Sequence, residues 1–140
     1  MKIKPDNFSD DEEFKKYKEN RKKQLTQIVH EITDERFLIK KIFKDRVILH
    51  VYKNEFTTCK RVNTILDKLV GLYPQIQFYK IEAEKAPIIS EKLEIKTLPY
   101  LGLFAGGYYI DSIVGLDKVG GMDFNLMEFK NYIDKSDILN

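Results

Sequence analysis

Few side chains of this sequence are equipped for chemistry. Cys59 is the one cysteine, and it stands in Phe56-Thr57-Thr58-Cys59-Lys60, between a run of strand-forming residues and an amphipathic segment. A thiol at a helix amino terminus gains thiolate character from the helix dipole, and the thiolate is the species that attacks disulfides. His50 lies inside the strand-forming run. A histidine buried there is expected to be neutral and hydrogen-bonded, a structural rather than a catalytic group. His30 and His50 with one cysteine make no metal site, because structural zinc takes four ligands and neither histidine has a neighbour at ligand spacing. Gly106-Gly107 and Gly120-Gly121 read as turns, since no Gly-Lys-Ser or Gly-Lys-Thr accompanies them to hold a phosphate. No cofactor is expected.

The elements that must position Cys59 lie on either side of it. Residues 46–52, RVILHVY, lack a clean alternation, which suits a central strand covered on both faces. Thr57 and Thr58 then offer a cap to a helix whose Cys59, Val62, Ile65, Leu66, Leu69, Val70 and Tyr73 share one face, and Pro74 ends it. Residues 75–83 form the next strand, completing a βαβ unit with parallel strands. Pro87 starts a short helix holding Ile88, Ile89 and Leu93. Residues 98–105 and 108–114 are strands joined by a Gly106-Gly107 hairpin, and Phe124, Leu126, Met127, Phe129, Tyr132 and Ile133 build a last helix.

Ahead of this body, Ser9 with Asp10, Asp11 and Glu12 opens a helix expected over about residues 10–31, its bases following its acids as the dipole favours. Arg21 interrupts the stripe formed by Phe14, Tyr17, Leu25, Ile28 and Ile32. Such a helix is either a solvated charged segment or an arm that binds a partner. A second short helix restarts at Thr33-Asp34-Glu35, with Phe37, Leu38 and Ile42 facing inward. The expected division is therefore an arm over residues 1–32 and a domain over residues 33–140.

The 140 residues, with eight Tyr and nine Phe, can bury a core without disulfides. A single cysteine suits a reducing compartment. No run is long and apolar enough to cross a membrane, and the charged amino terminus lacks the apolar core of a signal peptide. Residues 1–23 hold 8 basic and 6 acidic side chains, so the whole net charge of +2 sits there. That mixture argues against a phosphate-facing stripe, and its weak apolar face argues against membrane-surface binding. The chain is expected to be cytoplasmic and monomeric.

The order of elements resembles the thioredoxin fold, an α/β architecture with a central mixed sheet flanked by helices, here with an amino-terminal helical extension. Residues 56–60 stand where thioredoxins carry Cys-Gly-Pro-Cys-Lys, and Leu98-Pro99-Tyr100 looks like the cis-proline site that faces that motif. Residues Tyr17-Lys18-Glu19-Asn20-Arg21, the 47–52 strand, Glu84-Lys85-Ala86-Pro87 and Leu93-Glu94-Ile95-Lys96-Thr97-Leu98-Pro99 resemble the phosducin-like proteins, in their thioredoxin-domain-containing protein 9 branch. Such relatives can carry an acidic carboxyl tail, and interactions resting on one are not expected of these residues.

The resemblance implies a cytosolic protein that binds the chaperonin folding actin and tubulin and modulates client folding there. It also places Phe56 where the attacking thiol of a thioredoxin stands, and His50 where thioredoxins bury a carboxylate. A phenyl ring cannot attack sulfur, so the redox motif at Phe56, Thr57, Thr58 and Cys59 reads as degenerate. Cys59, where the resolving thiol would be, is either a small buried hydrophobe or a slow monothiol, and a monothiol disulfide oxidoreductase is the alternative function. A scaffold for an unrelated partner would share the fold. Pro99, if cis, either leaves a groove for an extended peptide or only shapes its loop. Phe14, Tyr17, Lys18, Arg21 and Leu25 are the arm residues expected to touch a partner.

Overall fold

The polypeptide is built around β2 (Arg46–Tyr52), whose six residues after the arginine are all buried. The continuous apolar run predicts this, because both faces of the strand are covered. A computed structural model describes residues 27–140. On one side β2 pairs in parallel with β3 (Gln77–Glu82), and on the other antiparallel with β4 (Tyr100–Ala105), which continues through the hairpin into β5 (Tyr108–Val114). A two-residue strand β1 (His30–Glu31) adds in parallel to the outer edge of β3, giving the order β1-β3-β2-β4-β5.

Among the described residues four α-helices cover the sheet: α1 (Glu35–Lys44), α2 (Thr57–Leu69), α3 (Pro87–Lys92) and α4 (Leu126–Lys135). Alternation along each strand splits the core in two. Ile48, Phe78, Leu101 and Leu103 face α2 and α4 with Leu66, Phe129 and Ile133, while Val47, Leu49, Ile81 and Phe104 face α1 and α3 with Leu38 and Ile89. The mixed sheet flanked by helices is the architecture expected from the sequence.

Residues 27–31, expected at the end of the arm's helix, are not helical, and His30–Glu31 form a strand. Gln27 Nε2 donates to the carbonyls of Tyr73 and Ile76 at 2.9 and 3.0 Å, Val29 enters the core, and the amide of Ile32 donates to Lys80 O. Two β1 residues with exposed side chains give no alternation to read, and β3's free edge decides their conformation. The rest of the expected arm, including Phe14, Tyr17, Lys18, Arg21 and Leu25, lies outside the described residues.

The helix ends show where local rules held. Asp34 caps α1 by accepting the Arg36 amide at 3.0 Å, and Asn125 caps α4 by accepting that of Glu128 at 3.1 Å. Thr57 and Thr58 do not cap α2. The chain stays extended through Phe56, which occupies the cap position without a side-chain bond, so both threonines are already helical. Pro87 takes the first position of α3, and the next two amides, of Ile88 and Ile89, donate to the buried carboxylate of Glu35 at 3.3 and 3.0 Å. One helix thus caps another.

The hairpin glycines have φ of +56° and +90°, which favour glycine at both positions. Their amides donate to Asp45 O and Ile42 O at 3.2 and 3.0 Å, latching the hairpin onto the carboxyl end of α1, where carbonyls lack helical partners. Phe37, read as inward-facing, is exposed, as are Ile88 of α3 and Met127 of α4.

Candidate functional site

The carboxyl end of β2, the loop 53–56 and the first turn of α2 bring together the residues with potential chemistry. The loop is tight: the Phe56 amide donates to Lys53 O at 3.0 Å, and the Lys60 amide to Phe56 O at 3.1 Å. Phe56 is 42% exposed at the tip, and Lys53 Nζ lies 5.7 Å from its ring centroid, within reach of a cation–π contact. Thr57 is exposed and Thr58 half-buried. Where an attacking group would stand, this chain presents a phenyl ring beside an ammonium.

Cys59 sits one turn into the hydrogen-bonded helix and is fully buried. Burial pushes its thiol pKa up, against a smaller lowering by a backbone hydrogen bond at Lys53. At neutral pH it is therefore a neutral thiol without access to solvent, which lacks both requirements of a nucleophile in disulfide exchange.

His50 lies on the α2 side of β2 and is fully buried. Its Nδ1–H donates to Asn63 Oδ1 at 2.8 Å, which fixes the tautomer, and Nε2 has no hydrogen-bond partner among the described residues. The ring stacks on Tyr52 with centroids 5.3 Å apart. Burial lowers the His50 pKa from 6.5 to about 4; the Asn63 bond opposes this and the charge of Lys80 adds to it. The imidazole is neutral at physiological pH. Tyr52 donates its hydroxyl to the Glu31 carboxylate across the intervening β3, and burial and that carboxylate push its own pKa upward.

The peptide bond between Leu98 and Pro99 is cis. The register pairs Val51 with Tyr100, so Pro99 lies one step further on, beside the end of β2 and the loop that leads to Phe56. Its carbonyl accepts the Gly115 amide at 3.0 Å. The structure thus brings His50, Phe56, Thr57, Thr58, Cys59 and Pro99 to one end of the sheet, as a constellation without an exposed thiol or a titrating base.

Two partners escaped the reading of the sequence. Asn63 is four residues beyond Cys59, on the helix's apolar face, and a lone amide there signals a buried polar acceptor or donor awaiting a mate. Glu35 reads as an ordinary first-turn acid of α1 and gives no sign that it caps α3. Among the described residues no group of three or more His, Cys, Asp or Glu side chains is placed to hold a metal ion.

With this geometry established, comparison with known proteins is informative. The family model for thioredoxin matches residues 28–128. The chain is similar to phosducin-like protein 3 of Dictyostelium discoideum, 32% identical over 148 residues that take in 96% of this chain and 80% of that protein. It is also similar to thioredoxin domain-containing protein 9 of Homo sapiens, 32% identical over 112 residues, or 79% of this chain and 50% of the human one. The chain therefore spans half the length of that human relative. Among solved structures, it superimposes on oxidised thioredoxin from Plasmodium falciparum with a TM-score of 0.65 and 20% identity, covering 76% of this chain and 96% of that one. That likeness is one of fold.

Proposed function

As the chain belongs to the thioredoxin family, within its phosducin-like branch, we propose that it is a redox-inactive, non-enzymatic co-chaperone of the cytoplasm that binds the cytosolic chaperonin and modulates the folding of clients such as actin and tubulin. The observation that carries this reading is the sealed junction: the thioredoxin frame is complete, yet Phe56 takes the attacking position and Cys59 is buried as a neutral thiol. A frame kept without its chemistry is one used for binding. The phosducin-like relationship supports this choice of partner class, and the arm residues Phe14, Tyr17, Lys18, Arg21 and Leu25 are the contacts proposed for it.

The alternative, a monothiol oxidoreductase, needs Cys59 to reach solvent as a thiolate, and burial works against both conditions. The test is co-sedimentation with purified cytosolic chaperonin of the full chain and of the full chain carrying F14A, Y17A and L25A. Binding that weakens in the variant supports the reading. Absence of binding by the unmodified chain well above ~1 μM, a range in which specific partners associate, removes it.

A further inference from the structure

A feature the sealed junction leaves unused is an apolar groove of about 380 Å³ on the other face of the sheet. Ile39, Ile42 and Phe43 of α1 form one wall, Ile88 of α3 and Leu93 just beyond it the other, and Phe104 of β4 the floor. It stays open because β5 is the sheet's edge and neither helix reaches over it. Phe43 is 68% and Ile88 47% exposed, so this is a patch that a monomer gains by covering. We propose that the groove is the docking site for this chain's own segment 8–14, Phe8-Ser9-Asp10-Asp11-Glu12-Glu13-Phe14.

Three observations select that occupant. The first is shape and polarity: the groove offers apolar walls for large side chains, and the segment has a phenylalanine at each end. The second is charge. Lys40 and Lys44 follow Ile39 and Phe43 on the exposed side of α1, and Lys92 stands at the groove itself. None of the three is in an ion pair among the described residues. The segment brings four carboxylates and no base. Four acids between two phenylalanines against unpaired lysines around an apolar trough is complementarity of both kinds.

The third is reach. The chain enters the described body at Gln27, tied to Tyr73 and Ile76 near the β1 edge. Residues 15–26 span up to ~40 Å if extended and ~18 Å if helical, whereas crossing a five-stranded sheet takes ~19 Å. An extended linker delivers the segment with length to spare, whereas a fully helical one falls just short of a full crossing. Phe14 is also among the arm's proposed partner contacts, so docking would compete with partner capture, but the inference itself does not depend on the identity of that partner.

Tethering by about a dozen residues gives an effective concentration in the millimolar range, so a contact with a Kd of ~0.1 mM in trans would be closed roughly nine-tenths of the time. Hydrogen exchange of the full chain reads this directly. Amides of residues 38–44 and 88–93 should exchange about tenfold slower than in the full chain carrying F8A and F14A, and the protection should fade with salt. F43E, at an exposed wall position, should abolish the same protection while leaving amides of β2 and β3 unchanged. A synthetic peptide of residues 5–17 added to the F8A/F14A chain should restore it. Equal exchange in the unmodified chain and both variants overturns the proposal. Protection that scales with protein concentration, together with a dimer in sedimentation, also overturns it in favour of a second copy on the groove.

Discussion

Replacing His50 by leucine removes a buried group whose titration the fold suppresses at mildly acidic pH. In the folded protein His50 binds its proton only near pH 4, against 6.5 for an unperturbed imidazole, and burial is the main cause. Between those values the unfolded chain holds the proton and the folded chain does not, so stability must fall as pH falls. The full contribution is present above pH 6.5 and is lost progressively down to about pH 4. At 1.36 kcal/mol per pKa unit, linkage gives a loss of about 2 kcal/mol by pH 5 and about 3 kcal/mol by pH 4, relative to pH 8. H50L carries a constant offset from the unpaired Asn63 amide and altered packing, but no slope from this site. Urea denaturation of both proteins from pH 8 to pH 5 isolates the effect, because carboxylates common to the two chains cancel in the difference. Wild type should lose its margin over H50L by about 2 kcal/mol across that range. A pH-independent difference, or an NMR titration of His50 centred near 6.5, would refute the burial argument.

Two further outcomes follow from the same geometry. F56C places a second thiol three residues before Cys59 at the start of α2, so oxidation should give an intramolecular disulfide, read by mass and by loss of alkylatable thiol; a folded variant that keeps both thiols free would count against the placement of residue 56. E35A leaves the Ile88 and Ile89 amides without their acceptor, and should cost about 1–3 kcal/mol in urea unfolding, the range for orphaned buried donors; a change below ~0.5 kcal/mol, the usual scale of surface substitutions, would show that water replaces the carboxylate.

The exposed groove and the sealed junction lie on opposite faces of one sheet, and the division follows from strand alternation. His50 points with Ile48 toward α2, while Val47, Leu49 and Val51 point toward α1 and α3. A thioredoxin frame that has lost its first thiol still keeps both surfaces, so binding and redox chemistry are separable in this architecture.

The sequence by itself determined the central strand, the βαβ unit, the glycine hairpin and the last helix, because each rests on local signals: a continuous apolar run, helical spacing, a proline stop, a Gly-Gly turn. It also determined that a dithiol cannot form within these residues. Tertiary structure alone decided β1, whose two residues are extended because β3 offers them a free edge. The capping of α3 by Glu35 is of the same kind, since the carboxylate and the amides it accepts come together only when α1 packs against α3. So is the bond from His50 Nδ1 to Asn63 Oδ1, which joins a strand to a helix. The exposure of Phe43 and Ile88 belongs here too. A periodic pattern shows that a helix has an apolar face, but how far its neighbours extend to cover that face is fixed by the packing of the whole sheet.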